Sequence, residues 1–126
     1  MYTLDVASEF AAAHQLAGSA GKCENLHGHN WRVQLTVAGE KLNETGMLVD
    51  FSELKRMLNA ATGELDHRFL NDLPAFARDN PTSERLAKHL AEILAPQMPA
   101  GVTVEAVTVW ESTTCSATYR PQKRPA

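Results

Sequence analysis

Three histidines in the first part of the chain have the residue type and spacing of a metal-binding site. His27 and His29 are separated only by Gly28, in a chain of 126 residues that contains five histidines. On a strand these two side chains point to the same face, and His14 ends the preceding predicted strand. Three neutral imidazoles form one of the ligand sets of catalytic zinc, in which the fourth position is left for water or substrate. The spacing therefore predicts a catalytic Zn²⁺ site, with three unrelated histidines as the alternative.

Three further residues have side chains that could transfer protons close to such a metal. Cys23 lies in a polar stretch shortly before His27. A nearby divalent cation or imidazolium would favour its thiolate, which can act as a base, although a buried and inert thiol is the alternative. Asp66 and His67 are adjacent, and a carboxylate favours the protonated form of a neighbouring imidazole. This pair is predicted to carry protons, with a solvated charge beside a loop histidine as the alternative.

Glu111 is a candidate for substrate binding because it directly follows a predicted strand that ends at Trp110. A carboxylate there could accept two parallel hydrogen bonds from an amino-pyrimidine edge, whereas a surface glutamate is the simpler alternative. His89 has helical spacing with Leu86 and is predicted to border the core or a subunit contact, not to bind metal. Cys115 is predicted to be a packed side chain.

The composition is that of a globular chain and excludes several classes of function. Hydrophobic residues make up 44% of the chain and charged residues 21%, which favours one folded domain over residues 1–126 with a mobile tail at 120–126. A net charge of -3 argues against direct binding of nucleic acid, and two cysteines are too few for a secreted disulfide scaffold. We find no leader and no membrane-spanning segment, so a cytoplasmic protein without membrane contact is predicted.

The elements that must position these residues follow from periodicity and from turn and capping residues. Alternation of apolar and polar residues predicts strands over 3–14, 29–37, 102–110 and 115–119. One helix is predicted to begin after an N-cap at Asp50 and to end at Gly63. A second helix is predicted to have Pro81 in its first turn and to end before Pro96. The order of two strands, two helices and two strands predicts an α+β domain with its helices on one face of a four-stranded antiparallel sheet.

Six blocks of sequence, taken in order, resemble the 6-pyruvoyl-tetrahydropterin synthase family across nearly the whole chain. The blocks begin with Phe10-Ala-Ala-Ala-His14, Cys23-Glu-Asn-Leu-His27-Gly-His29 and Val49-Asp50-Phe51. They continue with Leu65-Asp66-His67-Arg-Phe-Leu70-Asn71, Asn80-Pro81-Thr82-Ser83-Glu84 and Trp110-Glu111-Ser112-Thr113. The spacing of three residues between Cys23 and His27 resembles that of the bacterial 6-carboxy-tetrahydropterin synthase branch, whereas the animal pyruvoyl enzymes have a longer spacing.

The resemblance implies a zinc-dependent lyase that converts 7,8-dihydroneopterin triphosphate to 6-carboxy-5,6,7,8-tetrahydropterin, with release of acetaldehyde and triphosphate, in queuosine biosynthesis. It assigns the residues to three roles: Zn²⁺ ligands His14, His27 and His29; proton transfer by Cys23, Asp66 and His67; and pterin binding by Glu111, Thr82 and Pro81. Arg120 and Lys22 are candidates for the triphosphate on charge alone. Two alternatives remain open: a pyruvoyl synthase that eliminates triphosphate without carbon-carbon cleavage, and a non-enzymatic zinc-stabilised binding module.

The resemblance also implies the tunnelling fold, or T-fold, in which sheets of several subunits join into a barrel. The expected assembly is a homohexamer, a dimer of trimers, with the pterin triphosphate site between subunits. Asp66 and His67 would then be supplied to the Cys23 of a neighbouring chain.

Overall fold

The computed structural model of the protein describes residues 1–17 and 25–121. These residues form five strands, two α-helices and three short 3₁₀ turns. The strands are β1 (Tyr2–His14), β2 (His27–Gly39), β3 (Arg68–Phe69), β4 (Val102–Trp110) and β5 (Ser116–Tyr119). The helices are α1 (Phe51–Gly63) and α2 (Ser83–Leu94), and the 3₁₀ turns are Leu70–Asp72, Pro74–Phe76 and Ala95–Gln97.

The strands form one sheet in the order β3-β1-β2-β4-β5. All neighbours are antiparallel except β3, which pairs in parallel with Ala12 and Ala13 of β1. The prediction of a four-stranded antiparallel sheet was therefore wrong in one respect, because the sheet has five strands and is mixed. The additional strand, β3, lies between the two predicted helices, and at two residues it is too short to carry an alternating pattern.

The helices cover one face of the sheet, as the sequence predicted. Side chains alternate along β2, so that Trp31, Val33 and Leu35 are fully buried in a core that also contains Leu54 of α1 and Leu86 of α2. The opposite face of β2 exposes polar side chains such as Asn30 and Arg32. Along the described chain, none of the helices combines the length and the apolar character that crossing a lipid bilayer requires.

Capping residues set the start of both helices. Asp50 accepts a hydrogen bond from the backbone N–H of Ser52, which confirms it as the N-cap of α1. The N-cap of α2 is Thr82, whose hydroxyl accepts from the backbone N–H of Arg85. Pro81 thus precedes the helix instead of lying in its first turn. Its carbonyl is therefore available to a side chain from another segment.

The pairing register brings the ends of β1 and β4 and the start of β2 to the same end of the sheet. His14, the last residue of β1, lies opposite His27, the first residue of β2. β4 ends at Trp110, which pairs with Arg32 near the start of β2. The candidate histidines and Glu111 are consequently neighbours although they are far apart in sequence.

Candidate metal centre

The three predicted histidines converge at this end of the sheet. His14 faces His27, and His29 lies opposite Ala12, so all three side chains are on the face that also carries the core. One nitrogen from each ring and one carboxylate oxygen of Glu111 lie within 4.8 Å of one another. The histidines thus lie together, as a shared metal site would require, and the tertiary structure adds Glu111 to them.

Two of the imidazoles have their tautomers determined by backbone carbonyls. His14 Nδ1 lies 2.9 Å from the carbonyl oxygen of Pro81, and His27 Nδ1 lies 2.8 Å from that of Asn25. A carbonyl oxygen only accepts hydrogen bonds, so each Nδ1 carries the proton and each neutral ring has a lone pair on Nε2. These two Nε2 atoms are 2.9 Å apart. Two lone pairs at this distance repel each other unless a cation lies between them or beside them.

The third imidazole provides an unsatisfied donor atom of the kind that a metal would use. His29 Nε2 is buried without a hydrogen bond of acceptable geometry, although Glu111 Oε1 lies 2.9 Å away. Burial lowers the pKa of His29, with a smaller opposing effect of the Glu111 carboxylate and further lowering by the other two histidines. The neutral ring, which is the form that binds metal, is therefore favoured.

The donor set fits a divalent transition metal. Three imidazoles and one carboxylate are ligands that Zn²⁺ and its neighbours in the first transition row accept. The lone pairs of His14 and His27 and the unsatisfied nitrogen of His29 point into one small volume. We conclude that these residues could hold a metal ion, with Glu111 close enough to act as a fourth ligand.

Trp31 supports the cluster from the core side. Its indole N–H donates to the carbonyl of Ala12 at 3.2 Å, which orients the ring beneath the histidines. The rings of His14 and His29 lie edge-on to it, with centroid distances of 5.1 and 5.2 Å. Because Trp31 is fully buried, it is a rigid surface against which both imidazoles pack.

Glu111 occupies a position that sequence reasoning described only in part. It was predicted to bind substrate, and the structure places one carboxylate oxygen beside His29 and the other 3.4 Å from the hydroxyl of Ser83, which donates to it. Ser83 is buried at the start of α2 and was not identified from the sequence. No local pattern connects two residues that are 28 positions apart.

Asp66 and His67 form the predicted pair but lie outside the cluster, at the outer edge of β1. Asp66 Oδ2 lies 2.9 Å from His67 Nδ1, and Asp66 Oδ1 accepts from the backbone N–H of Ala11. This backbone bond, followed by that with His67, lowers the pKa of Asp66. The His67 side chain is 82% exposed, and its φ of 57° is in the left-handed region. Such backbone strain in a residue other than glycine is concentrated at functional sites.

The other predicted pterin-binding residues flank the cluster. The carbonyl of Pro81 accepts from His14, and Thr82 uses its hydroxyl to cap α2.

Arg120, a candidate for the triphosphate, is exposed immediately after β5. Cys23 and Lys22 lie outside the described residues.

Of the two residues predicted to have only a packing role, one is exposed and the other is half-buried. Cys115 is exposed, so the prediction that it is packed was wrong; it lies just before β5, where alternation no longer determines burial. His89 is half-buried against Phe76, with ring centroids 5.4 Å apart, and burial lowers its pKa. His89 therefore borders the core and is not part of the metal cluster, as predicted.

The sequence and the fold both have known relatives. A family model described as 6-pyruvoyl tetrahydropterin synthase matches residues 3–122. The 6-carboxy-5,6,7,8-tetrahydropterin synthase of Synechocystis sp. is 43% identical over 116 residues, which cover 87% of this chain and 86% of that protein. The protein of the same name from Bacillus subtilis is 35% identical over 130 residues, covering 97% and 87%. The solved structure of Caenorhabditis elegans 6-pyruvoyl tetrahydropterin synthase superimposes with a TM-score of 0.83 at 27% identity, covering 96% of each chain.

Replacing His27 by alanine is expected to abolish tight metal binding, because it removes one of the converging lone pairs. The metal affinity should fall by more than the roughly 10–100-fold that is typical when a residue hydrogen-bonded to a metal ligand is removed. Titration with Co²⁺, followed by its visible absorption, measures the affinity. His89→Ala is the matched control, since it removes an imidazole outside the cluster. Equal affinities of the two variants would contradict the assignment.

Proposed function

Because the chain belongs to the 6-pyruvoyl tetrahydropterin synthase family, we propose that it is a zinc-dependent lyase acting on 7,8-dihydroneopterin triphosphate. With one molecule of water, which supplies the second carboxylate oxygen, the products would be 6-carboxy-5,6,7,8-tetrahydropterin, acetaldehyde and triphosphate, in queuosine biosynthesis. The convergence of His14, His27 and His29 on one point is the observation that carries this proposal. The relatives named for the 6-carboxy product, at 35% and 43% identity, support the choice of reaction.

In this proposal the three histidines of the cluster bind the metal ion, and the substrate takes a remaining coordination position. Bound Zn²⁺ would polarise side-chain oxygens of the pterin and make the adjacent C–H more acidic. The chain contributes the orientation of the ligands, because the carbonyls of Pro81 and Asn25 keep both Nδ1 atoms protonated. The Trp31 ring excludes water from the core side of His14 and His29.

Proton transfer is assigned to Cys23 and to the pair of Asp66 and His67. In this proposal the Cys23 thiolate removes a proton from the substrate side chain, and His67 returns one at another carbon. Asp66 binds His67 Nδ1, so that the exposed Nε2 is left to exchange a proton. Tautomerisation by these steps precedes loss of triphosphate and cleavage of the carbon-carbon bond.

Glu111 is proposed to bind the pterin ring. Its carboxylate is 35% exposed and could accept two parallel hydrogen bonds from the amino-pyrimidine edge. One of its oxygens lies beside His29, so pterin binding requires that this oxygen move away from the histidines. The donor Ser83 directly follows Pro81 and Thr82 in the chain, which supports a contribution of these two residues to pterin binding beside Glu111.

The identity of the products distinguishes the proposed reaction from its alternatives. Incubation of the metal-loaded protein with 7,8-dihydroneopterin triphosphate is expected to yield acetaldehyde and a 6-carboxy pterin, identified by mass spectrometry. A pyruvoyl product without acetaldehyde would assign the chain the alternative reaction of the family. If metal is bound and neither product forms, the non-enzymatic binding module is favoured.

Removing either proton-transfer group is expected to lower kcat without loss of metal. Cys23→Ala and His67→Asn should each reduce turnover by roughly 10²–10⁴-fold, the usual contribution of a positioned acid or base. Asparagine tolerates the left-handed backbone of His67, so that variant removes the imidazole at little cost in folding. His89→Gln is the control.

Metal content and turnover are measured on the same samples. Full activity of Cys23→Ala would rule out the thiolate as the base. Loss of metal from that variant would instead make Cys23 a ligand.

We propose that the active form is a homohexamer, a dimer of trimers with sites between subunits. The outer edge of β1 has no partner strand within the described sheet before Ala12, where β3 pairs with it. Exposed apolar side chains lie near the start of this edge, around a cavity of about 220 Å³ lined by residues that include Tyr2, Leu42 and Phe51. Unpaired edges and apolar surface of this kind favour pairing with another chain.

Proline at position 7 is expected to reduce the size of the assembly. The backbone N–H of Ala11 points away from β2, and Ala7 lies an even number of residues before it, so its N–H points the same way. Proline at position 7 therefore removes a hydrogen-bond donor from the outer edge and none from the β1–β2 ladder. Sedimentation velocity measures the mass. Ala7→Val keeps the N–H and is the control. Assemblies of the same size in both variants would contradict pairing through this edge.

A further inference from the structure

Beyond the short pairing with β3, side chains complete the outer edge of β1 around His14. Alternate residues of a strand direct their N–H and C=O groups to the same edge. Ala11 is such a residue: its N–H is bound by the Asp66 carboxylate, and its carbonyl accepts from the N–H of His67. Gln15 and Ala17 have the same parity and lie just beyond the end of β1. Their outward groups are satisfied by two asparagine side chains.

Each of these asparagines makes a matched pair of hydrogen bonds. Asn71 Oδ1 accepts from the N–H of Gln15 at 2.9 Å, and Asn71 Nδ2 donates to the carbonyl of Gln15 at 2.7 Å. Asn80 Oδ1 accepts from the N–H of Ala17 at 3.0 Å, and Asn80 Nδ2 donates to its carbonyl at 3.1 Å. A primary amide has one acceptor and donors with the same reach as a peptide group. The two side chains therefore act in place of a paired strand.

The same contacts determine where the carbonyl partner of His14 lies. Asn80 directly precedes Pro81, whose carbonyl accepts from His14 Nδ1 at 2.9 Å. Asn71 follows β3, which pairs with β1 at Ala12 and Ala13. His14 is thus held between the β3 pairing on one side and the two amide pairs on the other. His14 is also fully buried, so its ring orientation depends on these neighbours.

We propose that Asn71 and Asn80 are positioning residues of the metal centre. The Asn80 amide holds Ala17 against the segment that carries Pro81, and the Asn71 amide holds Gln15 against the turn that follows β3. Together they keep His14 protonated on Nδ1 and direct its Nε2 at the metal. This inference rests on the metal site of the proposed function, although the His14 tautomer can be measured without metal. Mutation of a residue that orients an imidazole ligand from outside the coordination sphere typically lowers metal affinity by roughly 10–100-fold.

The variants separate this role from a general contribution to folding. Asn71→Ala and Asn80→Ala remove a whole amide, whereas Asn80→Asp keeps the acceptor and the shape but loses the donor to Ala17. Asn59→Ala is the matched control. Asn59 Oδ1 also accepts a hydrogen bond from a residue of β1, the hydroxyl of Ser8, but Asn59 has no contact with the metal cluster.

Metal affinity of the full chain is measured by competition between the protein and a chelator for Zn²⁺. Asn71→Ala, Asn80→Ala and Asn80→Asp are expected to bind Zn²⁺ roughly 10–100-fold more weakly than the unmodified chain, and Asn59→Ala as tightly as that chain. Nitrogen-15 NMR of the histidine rings, in metal-free protein, reports the tautomer. The His14 ring is expected to lose its uniform Nδ1-protonated pattern in the Asn80 variants and to keep it in Asn59→Ala.

The two measurements distinguish failure of this inference from failure of the proposed function. Unchanged Zn²⁺ affinity and an unchanged His14 tautomer in folded Asn71 and Asn80 variants would overturn the positioning role. If the unmodified chain bound no metal but its His14 tautomer still changed in Asn80→Asp, positioning of the His14 ring by Asn80 would be supported, whereas the metal-dependent function and the effect on metal affinity would be wrong. Should Asn80→Ala not fold, Asn80→Asp and Asn71→Ala provide the same test.

Discussion

The Nε2 atoms of His14 and His27, which both carry lone pairs, lie 2.9 Å apart, and the other groups of the site surround this contact. The contact persists because the opposite nitrogen of each ring is bound to a backbone carbonyl, so that neither ring can turn its N–H towards the other. A buried imidazolium would be costly, whereas a metal ion would satisfy both lone pairs and the third ring at once. The arrangement therefore makes sense chemically as a metal centre.

The sheet provides this arrangement through register and alternation. His14 and His27 are cross-strand partners, His29 lies one alternate position further along β2, and Trp31 lies beneath them in the core. The start of α2 adds Ser83 and, just before it, the Pro81 carbonyl. The site thus combines rigid strands, which determine where the histidines lie, with a helix start that positions the groups hydrogen-bonded to them and to Glu111.

The outer edge of β1 is divided into two parts with different uses. Near the histidine cluster it is closed by Asp66 and His67, by β3 and by the two asparagine amides, so no other strand can pair there. Towards Tyr2 it is open and is flanked by apolar surface. This division would let one strand contribute both to the chemistry and to assembly without competition between them.

Local patterns in the sequence predicted most of the fold and the three histidines of the candidate metal centre. Alternation identified the long strands, capping at Asp50 identified α1, and the spacing of His27 and His29 placed two imidazoles on one face. These features depend on neighbours in the chain. Tertiary structure alone decided that β3 joins the sheet, that Glu111 reaches the histidines and that Asn80 binds Ala17, 63 positions away. These contacts join distant segments through single side chains or very short pairings, and such contacts have no sequence period.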